Sequence, residues 1–121
     1  MISIVDDDPS VRRALRRLLR SLGYEVETFN SASDFFASQN QENMECLILD
    51  IHMSGMSGFE LQQRLIEEGR NLPIIYITAH HDEQTRKRAV QSGAIAYLRK
   101  PFDDQSLIEA IRQALSSNRT I

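Results

Sequence analysis

The 121-residue sequence lacks features on which several protein classes depend. Its single cysteine, Cys46, cannot form an internal disulfide, and its place in an apolar run favours a buried thiol in a reducing compartment. No apolar run approaches the length of a membrane span, and the first residues lack the basic-then-apolar layout of a signal peptide. There is no internal repeat, low-complexity tract or Pro- or Gly-rich linker. These absences exclude a disulfide scaffold, a membrane protein and a collagen-like chain, and we expect a cytoplasmic protein.

Acidic and basic residues occur in nearly equal numbers. Fourteen basic and seventeen acidic residues leave a net charge of −3, which disfavours direct nucleic-acid binding by this chain. Hydrophobic residues make up 41% of the chain and charged residues 26%, a composition that can build a core and argues against disorder. The length suits one domain, which we predict to span residues 1–121.

Short apolar runs alternate with stretches of helical periodicity along the chain. The predicted strands cover residues 2–5, 24–29, 45–51, 73–78 and 94–98. The predicted helices cover residues 8–22, 31–39, 57–68, 82–92 and 103–115, and Asp8 and Asp103 are their first and last N-caps. Apolar strands between helices indicate a parallel sheet covered on both faces. Right-handed crossovers then make the fold a doubly wound α/β sandwich of three layers, (βα)5.

Polar residues end four of the predicted strands, at the sheet edge where such folds bind their ligands. An aspartate in this position is often only a helix cap, as we predict for Asp8. Four polar strand ends at one edge nevertheless favour a shared function over four separate structural roles. The residues are Asp6, Asp7 and Asp8 at the end of the first strand, Asp50 at the end of the third, Thr78 at the end of the fourth, and Lys100 with Pro101 at the end of the fifth.

Clustered carboxylates need a counter-charge. Two of them about 4 Å apart repel by roughly 4 kcal/mol at an effective dielectric constant near 20. Lys100 supplies one positive charge, and an oxygen-preferring cation such as Mg²⁺ supplies more. A cation there would let Asp50 stay ionised as a nucleophile towards phosphorus, while Thr78 and Lys100 bind phosphoryl oxygens.

These residues match a known family. The segments IVDDD, LILDIHMSGMSG, ITAH and AYLRKPF occur in an order that resembles the receiver domain of two-component response regulators, over nearly the full length. The segment VRRALRRLLRSLGYEVETF, which begins in the first helix, is similar to receivers of the FixJ type, which precede a helix-turn-helix DNA-binding domain. The resemblance implies a flavodoxin-like sheet of strand order 2-1-3-4-5.

The resemblance also implies a role for each site residue. Asp50 would be the phosphoryl acceptor. Asp7 would bind Mg²⁺ directly, Asp6 largely through water, and the backbone carbonyl of His52 would be a further ligand. The domain would promote only its own phosphorylation and dephosphorylation, so we do not expect an enzyme with a separate substrate.

Three further residues would respond to the phosphoryl group. Thr78 would bind one of its oxygens, and Lys100 would pair with it, with a cis bond to Pro101. Tyr97 stands where the family has its switching aromatic, and it would turn inward once Thr78 moves. The alternative is that Tyr97 is an ordinary core or surface tyrosine.

The same resemblance implies partners. A sensor histidine kinase would dock on the face of the first helix opposite its apolar stripe, although a solvated face is the simpler alternative; this face carries Arg12, Arg13, Arg16, Arg17 and Arg20. The fourth helix is polar, offers only Ala89 and Val90 as apolar anchors, and would form a homodimer surface with strand five after phosphorylation; an ordinary exposed helix is the alternative. Residues 116–121 are polar enough to begin a linker to an output domain.

Two local features stand apart from the pattern. Where the family usually has Met-Pro, this chain has Met53-Ser54, which frees the acceptor loop and puts its conformation and the phosphoryl lifetime in doubt. His80 and His81 are a conceivable metal site, but adjacent histidines point apart and no matching spacing recurs. His80 could instead tune the access of water to the phosphoryl group.

Two other functions compete with the receiver. Asp6-Asp7-Asp8-Pro9-Ser10 loosely fits the D-x-D-x-T/S motif of haloacid-dehalogenase-type phosphatases, although no later acidic pair comes after a strand and Asp50 would be unexplained. A flavodoxin-like module that only binds a ligand is the third possibility, but the first loop lacks the Ser/Thr- and Gly-rich stretch that would cradle a flavin phosphate.

Overall fold

A five-stranded parallel sheet lies at the centre of the molecule. The computed structural model describes residues 1–117, and its strand order is β2-β1-β3-β4-β5, as predicted. Strands β2 and β5 begin two residues later than predicted, because the chain pairs only once it has left the turns at the preceding glycines. The strands are β1 (Ile2–Val5), β2 (Val26–Phe29), β3 (Cys46–Asp50), β4 (Ile74–Thr78) and β5 (Ala96–Arg99).

Five α-helices and one short 3₁₀ helix connect the strands. The side chain of Asp8 accepts a hydrogen bond from the Ser10 N–H, and that of Asp103 accepts one from the Ser106 N–H, so both predicted caps are confirmed. The second helix ends earlier than predicted, where Ser38 turns extended. The helices are α1 (Pro9–Ser21), α2 (Ala32–Ala37), the 3₁₀ helix (Gln41–Asn43), α3 (Gly58–Glu67), α4 (Glu83–Gln91) and α5 (Asp104–Ser117).

The core forms two layers, one on each face of the sheet. Helices α2, α3 and α4 cover Val5, Leu47 and Leu49, while α1 and α5 cover the opposite face of the same strands. The central strands β1, β3 and β4 are buried along their whole length, which explains their continuously apolar sequence. Cys46 is a buried thiol, as predicted.

The chain reverses direction across the sheet between β1 and β3. After β1 it moves outward to β2, and after β2 it returns to the far side of β1 as β3. This reversal is the point at which doubly wound sheets bind ligands. Asp6 and Asp7 directly follow β1, and Asp50 is the last residue of β3, so all three lie at this edge of the sheet.

Helix α4 is held differently from the prediction. Ala89 is buried as expected, but Val90 is 60% exposed, so its prediction as an anchor was wrong. Polar contacts to α3 take its place: the Gln62 amide donates to the carbonyl of Ser92, 3.1 Å away, at the end of α4. A prediction based on apolar residues alone does not reveal this polar contact.

The last helix runs into the segment predicted to begin a linker. Ser116 and Ser117 belong to α5, and residues 118–121 lie outside the described residues. None of the helices formed by residues 1–117 combines the length and apolar character that a membrane span requires.

Candidate functional site

Three carboxylates meet where β1 and β3 end. One oxygen from each of Asp6, Asp7 and Asp50 lies within 4.8 Å of the others. Asp6 and Asp50 are buried, whereas Asp7 is exposed and faces solvent. The group is the one set of potential metal ligands that residues 1–117 form, and carboxylate oxygens are the ligands that hard cations prefer.

Asp6 is held in place by one hydrogen bond to its side chain and one to its backbone carbonyl. Its Oδ1 accepts a hydrogen bond from the N–H of Asp8 at 2.9 Å, and its carbonyl accepts one from Nη1 of Arg12 at 2.7 Å. Sequence reasoning missed the contribution of Arg12, which it grouped with the outward-facing arginines of α1. The spacing could have suggested it, because position 12 lies one turn after the helix start and can reach back to the end of β1.

Lys100 joins the cluster from the end of β5. Its Nζ lies 2.7 Å from Oδ2 of Asp6 and 3.8 Å from Oδ2 of Asp50. The bond between Lys100 and Pro101 is cis, and the Lys100 N–H donates to the carbonyl of Thr78 at 2.7 Å. One ammonium group therefore compensates three carboxylates, and the cluster remains acidic.

The Asp50 carboxyl resists ionisation. Burial and the neighbouring charge of Asp6 raise its pKa to about 7, against the opposing effects of Lys100 and of the His52 N–H. A cation bound among the carboxylates would favour the ionised form, so metal binding and Asp50 ionisation are linked.

Thr78 ends β4 beside this cluster and is fully buried. Its hydroxyl donates to the carbonyl of His80 at 3.0 Å and accepts from the His80 N–H at 3.1 Å. The two histidines after it separate: the ring of His80 lies 5.2 Å from that of His52, and His81 contacts Tyr97. Their side chains therefore form no metal site in the part of the chain that is described.

The comparisons with known proteins agree with this geometry. The model of the response regulator receiver domain matches residues 2–112. The chain belongs to this family. Among curated relatives, the response regulator protein TodT of Pseudomonas putida is 44% identical over 95% of this chain and 51% of its own length. The transcriptional regulatory protein FixJ of Azorhizobium caulinodans is 36% identical over 94% of this chain and 54% of its own.

The solved structures give the same result. The response regulator StyR superposes with a TM-score of 0.89 at 50% identity, over 97% of this chain and 59% of the solved chain. The chain thus spans about half the length of the curated relatives it matches. It is a receiver domain with the FixJ resemblance predicted from sequence, and FixJ itself is described as a transcriptional regulatory protein.

Most of the residues singled out from this receiver's sequence come together in the structure. Asp6, Asp7, Asp50 and Lys100 form one cluster, and Thr78 ends the neighbouring strand. Tyr97 stands apart, half-buried on β5, with its hydroxyl directed to the β4–α4 loop.

Gly58 is a structural requirement that sequence reasoning missed. It opens α3, and a Cβ atom at this position would lie 2.6 Å from the carbonyl oxygen of Asp50. Only a residue without a side chain lets α3 begin so close to the end of β3. The loop between β3 and α3 carries Ser54, which is exposed, followed by Gly55 with a φ of 77°.

Proposed function

We propose that this receiver accepts a phosphoryl group on Asp50 from a sensor histidine kinase, with Mg²⁺ as cofactor. The observation that carries the proposal is the grouping of three carboxylates around a single lysine at the topological switch point of the sheet. Asp6, Asp7 and Asp50, together with the backbone carbonyl of His52, would hold the cation. The excess of carboxylate oxygens over positive charge fits a hard divalent ion.

The phosphoryl transfer is a displacement at phosphorus. An ionised oxygen of Asp50 forms a bond to phosphorus, and the bond from phosphorus to the donor histidine nitrogen breaks, with its electrons returning to that nitrogen. A cation held by these carboxylates would neutralise charge on the transferred group. Lys100 binds a phosphoryl oxygen while it stays close to Asp6, so the group is held in line. Hydrolysis is the analogous attack by water, and we propose no catalysis beyond these two steps.

The phosphorylated state should differ from the free state around Thr78. Its hydroxyl can bind a phosphoryl oxygen only by giving up the hydrogen bonds that it makes to the backbone of His80. We propose that this exchange shifts a two-state equilibrium in which Tyr97 turns inward. The surface formed by α4 and β5 then pairs with a second copy.

The kinase should dock on α1 beside the site. Arg13, Arg16, Arg17 and Arg20 are exposed on this helix. A groove of about 880 Å³ runs between α1 and the residues after β5, with apolar walls that include Leu18. Arg17 and Lys100 line this groove together with a single acidic residue, Asp104, and the mainly basic and apolar lining suits an amphipathic helix with acidic flanks.

The remaining assignments rest on the relatives. We propose that the full protein continues into a helix-turn-helix output domain, because the chain spans about half of relatives described as transcriptional regulators. We also propose a cytoplasmic location, as two-component transcriptional control requires.

The structure disfavours the phosphatase alternative. In that interpretation Asp6 would be the nucleophile and Asp8 its acidic partner. Instead Asp6 is fully buried and paired with Lys100, and Asp8 is an exposed helix cap that binds the Ser10 N–H.

Intact-protein mass spectrometry tests the proposal. The receiver is incubated with acetyl phosphate, with and without Mg²⁺, as wild type and as Asp50→Asn. We expect a gain of one phosphoryl group in the wild type, dependent on Mg²⁺ and absent in the variant. Labelling that survives in Asp50→Asn would support the phosphatase alternative. Absence of labelling in the wild type would support a binding-only module or an acceptor loop disabled by Ser54, and Ser54→Pro separates these two.

A further inference from the structure

His81 and Tyr97 contact each other between the β4–α4 loop and β5. Nδ1 of the histidine lies 3.1 Å from the tyrosine hydroxyl, and the ring centroids are 5.8 Å apart. Burial raises the pKa of Tyr97, so its hydroxyl keeps its proton near neutral pH. The phenol can then donate to Nδ1 or accept from Nδ1–H, so the hydrogen bond forms with either histidine tautomer.

Four charged groups act on Tyr97, namely Asp82, Glu83, Arg86 and Arg99, and the first three have partners of their own. Glu83 and Arg86 form an ion pair with each other along α4. The carboxylate of Asp82 caps α4 by accepting from the Thr85 N–H at 2.7 Å. Within residues 1–117, His81 is therefore the side chain that binds the Tyr97 hydroxyl.

His81 is also connected to the phosphoryl site through its neighbour. The Thr78 hydroxyl binds both the N–H and the carbonyl of His80, which fixes the backbone directly before His81. A hydroxyl that turns towards a phosphoryl oxygen breaks both hydrogen bonds at once. The loop is then free to move, and its movement separates His81 from Tyr97.

We propose that His81 is a positioning residue that holds Tyr97 in its outward position while Asp50 is unphosphorylated and releases it when Thr78 moves. The proposal rests on the proposed function, since it concerns regulation of that same site. In this proposal His81 opposes switching, so the loss of its side chain makes the receiver easier to activate.

The effect should be modest, because the hydrogen bond is neutral and reached by solvent. Its loss should raise the population of the inward Tyr97 state about two- to fivefold. If the inward state is the reactive one, the rate of phosphorylation by acetyl phosphate rises by the same factor.

The first experiment measures the position of Tyr97 without any phosphorylation. The chain has three tyrosines, so 3-fluorotyrosine labelling gives three fluorine signals, and Tyr97→Phe assigns one of them. Chemical exchange saturation transfer (CEST) on the Tyr97 signal then gives the population of the minor state, in which Tyr97 is turned inward. We expect an increase in His81→Ala, partial restoration in His81→Asn, and no change in the matched control His80→Ala, whose ring contacts His52 instead.

The second experiment is a double-mutant cycle on the phosphorylation rate. His81→Ala should accelerate the wild type about two- to fivefold and have no effect in a Tyr97→Phe background. An equal acceleration in both backgrounds, or an unchanged minor population in His81→Ala, would overturn the proposal. Absence of phosphorylation in every variant would instead refute the proposed function, and the fluorine measurement would still decide the role of His81.

Discussion

Replacing Asp50 by asparagine should stabilise the domain, because the charge that it removes is buried and incompletely compensated. At an effective dielectric constant near 20, Asp6 within 4.8 Å repels the Asp50 charge by at least about 3.5 kcal/mol. Lys100 at 3.8 Å attracts it by about 4.4 kcal/mol. These two terms nearly cancel, so the penalty of burying the charge decides the sign.

The pKa of Asp50 gives the net cost of its charge, to which burial makes the largest contribution. A rise from 3.8 to about 7 corresponds to about 4 kcal/mol against the ionised form. Because the folded protein binds this proton more tightly than the unfolded chain, wild-type stability falls as the pH rises from about 4 to about 7. We therefore expect Asp50→Asn to raise the free energy of unfolding by about 2–4 kcal/mol at pH 8, and by much less at pH 5.

Urea denaturation followed by far-UV circular dichroism measures the difference, since the chain has no tryptophan. Asp7→Asn is the matched control: its carboxylate belongs to the same cluster but is exposed, so its removal should add about 1 kcal/mol or less. Mg²⁺ should stabilise the wild type, by about 1.4 kcal/mol at ten times its dissociation constant, and stabilise Asp50→Asn less.

Two results would refute this reasoning. The first is an Asp50→Asn variant that is less stable than the wild type at pH 8 without metal, which would mean that Lys100 outweighs burial. The second is a stabilisation of the same size at pH 5 and pH 8, because an effect that does not follow the ionisation of Asp50 cannot arise from its charge.

Three further changes test the packing around the site by the same denaturation assay. Tyr76→Phe leaves the buried amide oxygen of Gln62 without its donor and should cost about 1–3 kcal/mol; an unchanged midpoint would mean that the contact is unimportant. Ser3→Ala removes a buried hydroxyl that has no hydrogen-bond partner within residues 1–117 and should stabilise the domain by about 1 kcal/mol, whereas a loss of stability would reveal a partner. Gly58→Ala should destabilise the domain and slow acetyl-phosphate labelling of Asp50, because its Cβ must displace the end of β3; normal stability and labelling would argue against that requirement.

The sheet and the acidic cluster were predictable from sequence because both depend on regular patterns. Parallel strands all end at one edge, so residues at the carboxyl ends of β1, β3 and β5 lie together there, whatever their side-chain conformations. The helix caps of Asp8 and Asp103 were predictable because each depends only on the few residues at the start of its helix.

The contacts between neighbouring elements were not predictable in the same way. Val90 has the apolar character of an anchor, yet its position on α4 turns it to solvent. The need for Gly58 arises from the approach of α3 to the backbone of β3, which no feature of its own segment reveals. The pairing of His81 with Tyr97 likewise depends on the path of a loop and on the side-chain conformations at both ends.

Strand β4 connects the surroundings of the acidic cluster to the two ends of α4 in different ways. Tyr76 and Thr78 are two residues apart and point to the same face of the sheet. The Tyr76 hydroxyl donates to Gln62, whose amide binds the carbonyl of Ser92, so a buried path anchors the carboxyl end of α4. Thr78 holds the loop at the amino end through the backbone of His80, and this contact is the one that a phosphoryl group would break. A change at the site should therefore act on the amino-terminal end of α4 while its carboxyl end stays in place.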